Sequence, residues 1–216
     1  MSERLPLTDP YDVLTIAAIA DELRATIGNG RVQRIGLIDA RTIGAEIYAG
    51  GQRRYLIASA DDRHPRLRLA AAMPSLDSAL VTPFGLLLRK HVRGGVILGI
   101  DQPPLERLVR LSIAKRQIPL TVDEPLASEN DESDDDGEFL PEEEGNLRFV
   151  TLVIELMGRH SNLILTDNDG VIMESAKRVT PAMSRVRTVL PRLPYRPPPP
   201  LDRLDPRTAS EAAVRS

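Results

Sequence analysis

Apolar residues in this chain recur at helical spacing in two places and in short or alternating runs elsewhere. Val13, Ile16, Ala17, Ala20, Leu23 and Ile27 share one face of a helix predicted over 13–27. Asp12 is its expected N-cap, and Gly28-Asn29-Gly30 its stop. A second helix is predicted to open at Pro83, a residue tolerated in a first turn. Phe84, Leu87, Leu88 and His91 lie on one face of it, and Gly94-Gly95 ends it. Strand signals cover 32–38, 43–48, 55–59 and 67–71, separated by turn residues. Two more cover 96–100 and 108–113, with Asp101 to Arg107 between them. A closing sheet is predicted from 147 to about 179. Consecutive strands joined by short turns predict an antiparallel meander, and with two helices an α+β fold.

One stretch stands out within the closing sheet. Glu155-Leu156-Met157-Gly158-Arg159-His160-Ser161-Asn162 follows a β-branched run and precedes Leu163-Ile164-Leu165. Asn168-Asp169-Gly170 then turns the chain into another short strand. Two readings stay open from these residues alone. Gly158 to Asn162 is either an ordinary turn or a polar recognition loop held by core strands. In the second reading Ser161 and Asn162 fix the turn and Arg159 is the better contact.

Composition changes the picture in two ways. At 216 residues and 42% hydrophobic the chain can bury a core, but aromatics are only 3%, so Val, Ile, Leu and Ala must build it. No cysteine is present, which excludes disulfides, thiolate metal sites and a cysteine nucleophile, and fits a reducing cytoplasm. The first residues lack an apolar signal core, and no run approaches membrane-spanning length, so no membrane association is expected.

The net charge of -3 conceals an asymmetry. Twelve acids and no base fall between Asp123 and Glu144, leaving 19 acids against 28 bases elsewhere. The segment of about 123–145 is expected to be a disordered acidic insertion within one domain. It either competes with nucleic acid for the basic body or is a solvated excursion. The basic body points to a phosphate-rich partner, or arginine simply replaces lysine over a solvated surface. Residues 1–10 read as a flexible lead and 11–190 as the domain. Leu190 to Pro200 are expected to be extended, with polyproline character, so that 191–216 form a linker or the start of a further domain.

Candidate catalytic chemistry is sparse. His64, His91 and His160 have no metal-type partners at motif spacing, and no phosphate-loop, zinc-protease, serine-hydrolase or dinucleotide fingerprint occurs. No cofactor and no metal are expected. These residues describe a binding module.

Taken in order, several segments resemble one family. They are the helix after Tyr11-Asp12 ending in Gly30-Arg31-Val32, the run Pro83-Phe84 through His91 to Gly94-Gly95, Glu155 to Asn162, Lys177-Arg178-Val179, and the Pro-rich end. Together they resemble the NFACT-N domain of the RqcH/NEMF family, known also as fibronectin-binding protein A-like, over about 11–200. The resemblance implies a ribosome-associated quality-control factor. Such factors bind large ribosomal subunits obstructed by peptidyl-tRNA, recruit tRNA, and add alanine tails to stalled chains without mRNA. It also implies a mostly antiparallel β-sandwich, similar to the N-terminal domain of formamidopyrimidine-DNA glycosylases.

The family carries an Asp-Arg pair needed for tailing, which falls here on Glu106-Arg107 behind Pro103-Pro104. Glutamate reaches one methylene further than aspartate, and the arginine fork still fits a phosphate or a base edge. The expected RNA contacts are Glu106, Arg107, Arg159, His160, Ser161, Asn162, Lys177 and Arg178. Glycosylase activity is not expected, because Met1-Ser2-Glu3-Arg4 offers no terminal proline amine. The family's helix-hairpin-helix, coiled coil and NFACT-R parts have no counterpart here, so full tailing is not expected of this segment. A fibronectin-binding adhesin is the alternative reading.

Overall fold

The computed structural model describes residues 11–116 and 147–199. The lead of 1–10, the acidic insertion of 123–145 and everything beyond Pro199 lie outside them.

The first helix, α1 (Val13–Ile27), is capped by Asp12, whose carboxylate accepts from Thr15 N at 2.7 Å. Its stop uses Asn29 in the left-handed region at φ 59, a conformation asparagine tolerates better than most residues. Ile16, Ala20, Leu23 and Ile27 are buried, as the spacing predicts. The meander follows as β1 (Arg31–Asp39), β2 (Thr42–Ala49), β3 (Gln52–Ser59) and β4 (Arg66–Ala70). Next comes α2 (Pro83–His91), with Pro83 in its first turn. Its N-cap is Thr82, which the sequence reading did not single out and whose hydroxyl accepts from Gly85 N.

The remaining strands are β5 (Val96–Asp101), β6 (Leu108–Arg116), β7 (Leu147–Glu155), β8 (Asn162–Asp167) and β9 (Ile172–Ser175). All pair antiparallel in one nine-stranded sheet, in the order β4-β3-β2-β1-β5-β6-β7-β8-β9. The expected α+β class holds, and its β-layer is one continuous ladder. Between the halves the strand ladder is the pair Arg31 with Val96, flanked by backbone bonds from Val32 N to Gly95 O at 2.8 Å and from Ile97 N to Gly30 O at 2.9 Å. They share a single apolar core. Leu37, Ile43, Leu56 and Leu67 from the first half pack in one cluster with Leu111, Ile113, Leu152 and Leu165 from the second. The helices close this core: α1 lies against β2, β4, β5 and β6, while α2 touches β1 and β9.

A smaller cluster forms on the opposite face of β6–β9. Leu108, Val153, Ile164 and Ile172 are covered there by Val179, Val189 and Tyr195. Here the structure corrects the start of the run of 190–200 expected to be extended, from Leu190 to Tyr195. Leu193 N bonds Leu190 O in a turn with Arg192 at φ 69. Ile172 N bonds Leu193 O and Tyr195 N bonds Gly170 O, so the segment docks on the β9 edge. The partly buried Tyr195 packs on this cluster and anchors the segment there.

Candidate functional site

The loop between β5 and β6 is held from three sides. Leu105 sits at φ 58, a strained conformation for a branched residue. Glu106 N bonds Pro103 O at 3.1 Å, closing a turn over the two prolines. Gln102 Nε2 donates to Glu106 O at 2.9 Å and to Val13 O at 3.3 Å, stapling the loop to α1. Leu156 N donates to Arg107 O at 2.9 Å, which fixes Arg107 beside the end of β7. Glu106 and Arg107 therefore leave a braced backbone.

After β7, Gly158–His160 form a single 3-10 turn. Gly158 has φ 56 with open space around it, so the backbone conformation, not crowding, calls for glycine. Ser161 is fully buried, and its hydroxyl accepts from Met157 N at 2.7 Å. Asn162 is also buried. Its Nδ2 donates to Lys177 O at 2.7 Å, and its Oδ1 accepts from Lys177 N at 3.0 Å and Leu163 N at 2.9 Å. The amide thus acts as a rung between β8 and the chain after β9. Arg159 and His160 are exposed, and Arg159 Nε donates to His160 Nε2 at 3.1 Å.

Lys177 and Arg178 behave differently although they are adjacent. Lys177 Nζ donates to Arg159 O at 2.7 Å and to Asp62 Oδ1 at 2.8 Å. The hydrogen bond from Lys177, with that from Arg41, holds the Asp62 carboxyl below its ordinary range. Arg178 instead folds back toward β9, where its Nε donates to the buried Glu174 carboxylate at 3.0 Å.

The conspicuous buried charge is Glu155, at 0% exposure. Arg187 Nη1 and Nη2 meet its two oxygens at 2.7 and 2.6 Å in a bidentate fork. Tyr195 Oη donates to the same carboxylate at 2.8 Å. Burial, then the Glu155 charge, pushes the Tyr195 hydroxyl far above its usual range, so it stays protonated as a donor.

These pieces border a cleft of about 580 Å³. Glu106, Arg107, Arg159, His160, Asn162 and Lys177 all line it, although four elements supply them. Two of the expected site residues do not: Ser161 is packed behind the turn and Arg178 turns to Glu174. The facing wall is Val179, Met183, Val186, Arg187 and Pro198. Met183 and Val186 are 67% and 74% exposed, so this wall is apolar and open. The sequence reading missed Met183, Val186 and Arg187. Their segment carries no motif, and its only signal is Arg185 and Arg187 just before the prolines. Among the described residues, no cluster of histidines and carboxylates could hold a metal ion. No helix among them is long and apolar enough to cross a membrane.

Comparison with known proteins places this geometry in a family. The protein described as Rqc2 homolog RqcH from Bacillus subtilis (strain 168) is 31% identical over 203 residues, 93% of this chain. The protein of the same description from Streptococcus pneumoniae (strain D39) is 27% identical over 202 residues. The chain spans 31% and 32% of the length of these two relatives. Among solved structures, the N-terminal part of the fibronectin/fibrinogen-binding protein from Streptococcus suis is similar at a TM-score of 0.75 and 27% identity, covering 94% of this chain and 67% of that one. The N-terminal domain of fibronectin-binding protein PavA from Streptococcus pneumoniae gives a TM-score of 0.75 at 26% identity, covering 95% of this chain and 67% of that one. The family described as NFACT N-terminal and middle domains matches residues 12–216. By that match, over nearly its whole length, the chain belongs to the family of NFACT N-terminal and middle domains.

Proposed function

We propose that this chain is the tRNA-binding module of a ribosome-associated quality-control factor. The whole factor engages large ribosomal subunits obstructed by peptidyl-tRNA and supports mRNA-independent alanine tailing in the cytoplasm. The supporting observation is the cleft, where Glu106-Arg107, Arg159, His160 and Lys177 converge opposite an apolar wall. Arginine forks fit phosphate oxygens or a guanine edge, and a carboxylate such as Glu106 accepts from an exocyclic amine. Met183 and Val186 supply a surface on which a base or ribose can pack. The module acts by binding and positioning, and no bond-making step is assigned to it.

A tRNA titration followed by fluorescence anisotropy tests this reading. Binding should weaken steeply with salt. Arg107→Ala and Arg159→Ala should each lower affinity and reduce the salt slope by roughly one phosphate contact. Unchanged affinity in both variants would remove the cleft from the interface. The names of the solved relatives raise fibronectin as a second ligand. The cleft offers no specific support for it, and no saturable binding to immobilised fibronectin is expected.

A further inference from the structure

The outer face of the sheet carries a second feature, remote from the cleft. Cross-strand partners place Arg53, Tyr48, Arg31, Val96, Ala114 and Phe149 in one row across six strands. Directly paired residues point to the same face. The chain neighbours Ile47, Val32, Ile97, Ile113 and Val150 are all buried in the main core. Side-chain alternation therefore turns the row outward. Tyr48 is 46% exposed and Phe149 42%. In a chain with 3% aromatics, these are the two aromatics among the exposed large apolar side chains of the described residues, and they share this row. Four strand steps separate them, about 19 Å.

Cations are interleaved with the aromatics. Arg31 stands between Tyr48 and Phe149, Arg53 flanks Tyr48, and Arg34 lies one row away, opposite Glu46. Glu46 is buried and 3.6 Å from Arg53 Nε, so it offsets only part of this charge. Exposed Leu98, next to Val96 on the neighbouring bulge, extends the apolar area. The docked C-terminal segment covers the other end of this face, around Leu108 and Val153, and leaves the row open. Six residues along β7, roughly 20 Å, separate Phe149 from Glu155, which pairs with Arg187 of the cleft wall.

We propose that this row is a second RNA-binding surface, a stacking platform for unpaired nucleotides. Base faces stack on Tyr48 and Phe149 while Arg31 and Arg53 meet the phosphates between them. Aromatics spaced along a cationic sheet face suit single strands, because every base offers a π-face and the backbone supplies the charge. The proposal shares with the functional reading above only the class of ligand, and it does not require the cleft.

The test uses the whole chain with two probes, a fluorescent oligouridylate and a folded tRNA. Tyr48→Ala and Phe149→Ala should each weaken oligouridylate binding about 5- to 150-fold, while Tyr48→Phe retains it. The pair Arg107→Ala/Arg159→Ala should weaken tRNA binding and leave uridine crosslinks to Tyr48 and Phe149 in place. Ultraviolet crosslinking should place uridine adducts on Tyr48 or Phe149. If an alanine variant loses its native circular dichroism, Arg31→Ala and Arg53→Ala, both at exposed positions, replace it and should weaken binding with a shallower salt slope. Several results would overturn the platform: full-strength oligouridylate binding in the aromatic or arginine variants, adducts that avoid both aromatics, or variants defective only toward anionic vesicles, a protein partner or a second copy. Loss of tRNA binding in the cleft variants alone would bear on the cleft reading and leave the platform standing.

Discussion

Arg187 closes a bidentate pair on Glu155, at 2.6 and 2.7 Å, across 32 residues of chain. The carboxylate is fully buried, and the guanidinium is 13% exposed. The pair ties the last residue of β7 to the segment that forms the apolar wall of the cleft. Its net contribution against an apolar replacement is small, but removing one partner strands a buried charge. Arg187→Ala should therefore lower unfolding stability by about 3–5 kcal/mol, read as a drop in denaturant midpoint. A loss below about 1 kcal/mol would mean that water reaches Glu155, contrary to its burial.

Asn162 has a structural role that its polar character conceals. Its amide satisfies Lys177 N, Lys177 O and Leu163 N at once. Asn162→Ala removes the side-chain acceptor of Lys177 N and Leu163 N, while Ser175 Oγ still donates to Lys177 O, and should cost about 1–3 kcal/mol in chemical denaturation. tRNA binding should fall only as far as the Arg159 turn loosens. A variant of native stability with lost tRNA affinity would instead make Asn162 a direct contact.

The neighbours Lys177 and Arg178 should separate in a binding assay. Lys177 lines the cleft and holds the carbonyl of Arg159, whereas Arg178 is engaged by Glu174 outside it. Lys177→Ala is expected to weaken tRNA binding several-fold. Arg178→Ala is expected to stay within about twofold of the parent, since a surface charge outside the interface adds little beyond screened attraction. Equal losses in the two variants would return Arg178 to the interface.

His91 gives the fold a defined acid response. Its value is lowered from the ordinary 6.5, first by burial and then by Lys90, Arg148 and Lys115 around it. Below 6.5 the unfolded chain binds the proton more readily than the folded one. Its contribution is thus complete above that value and is lost as the pH falls toward the lowered one. Denaturant midpoints should drop as the pH falls below 6.5, and His91→Leu should flatten that drop. An unchanged slope in the variant would assign the acid response to other groups.

Local chemistry in the sequence determined most of the secondary structure. The spacing of Ile16, Ala20, Leu23 and Ile27, with Asp12 before them, carries α1 at its observed bounds. Alternation and turn residues carry the strands to within a few positions, because both signals act over neighbouring residues. The Glu155 to Asn162 run was legible as a special loop, and so was the option that Ser161 and Asn162 brace it while Arg159 points out. Only the tertiary structure decided which distant groups meet. Glu155 finds Tyr195 40 residues on, and Lys177 finds Asp62 115 residues back. It also folded the start of the Pro-rich segment onto β9, overriding its local preference, and turned Arg178 away from the cleft its neighbour lines. The row from Arg53 to Phe149 exists only through register across six strands. Such pairings follow from which apolar faces bury together, and the periodicity of a single sequence fixes those faces without fixing their partners.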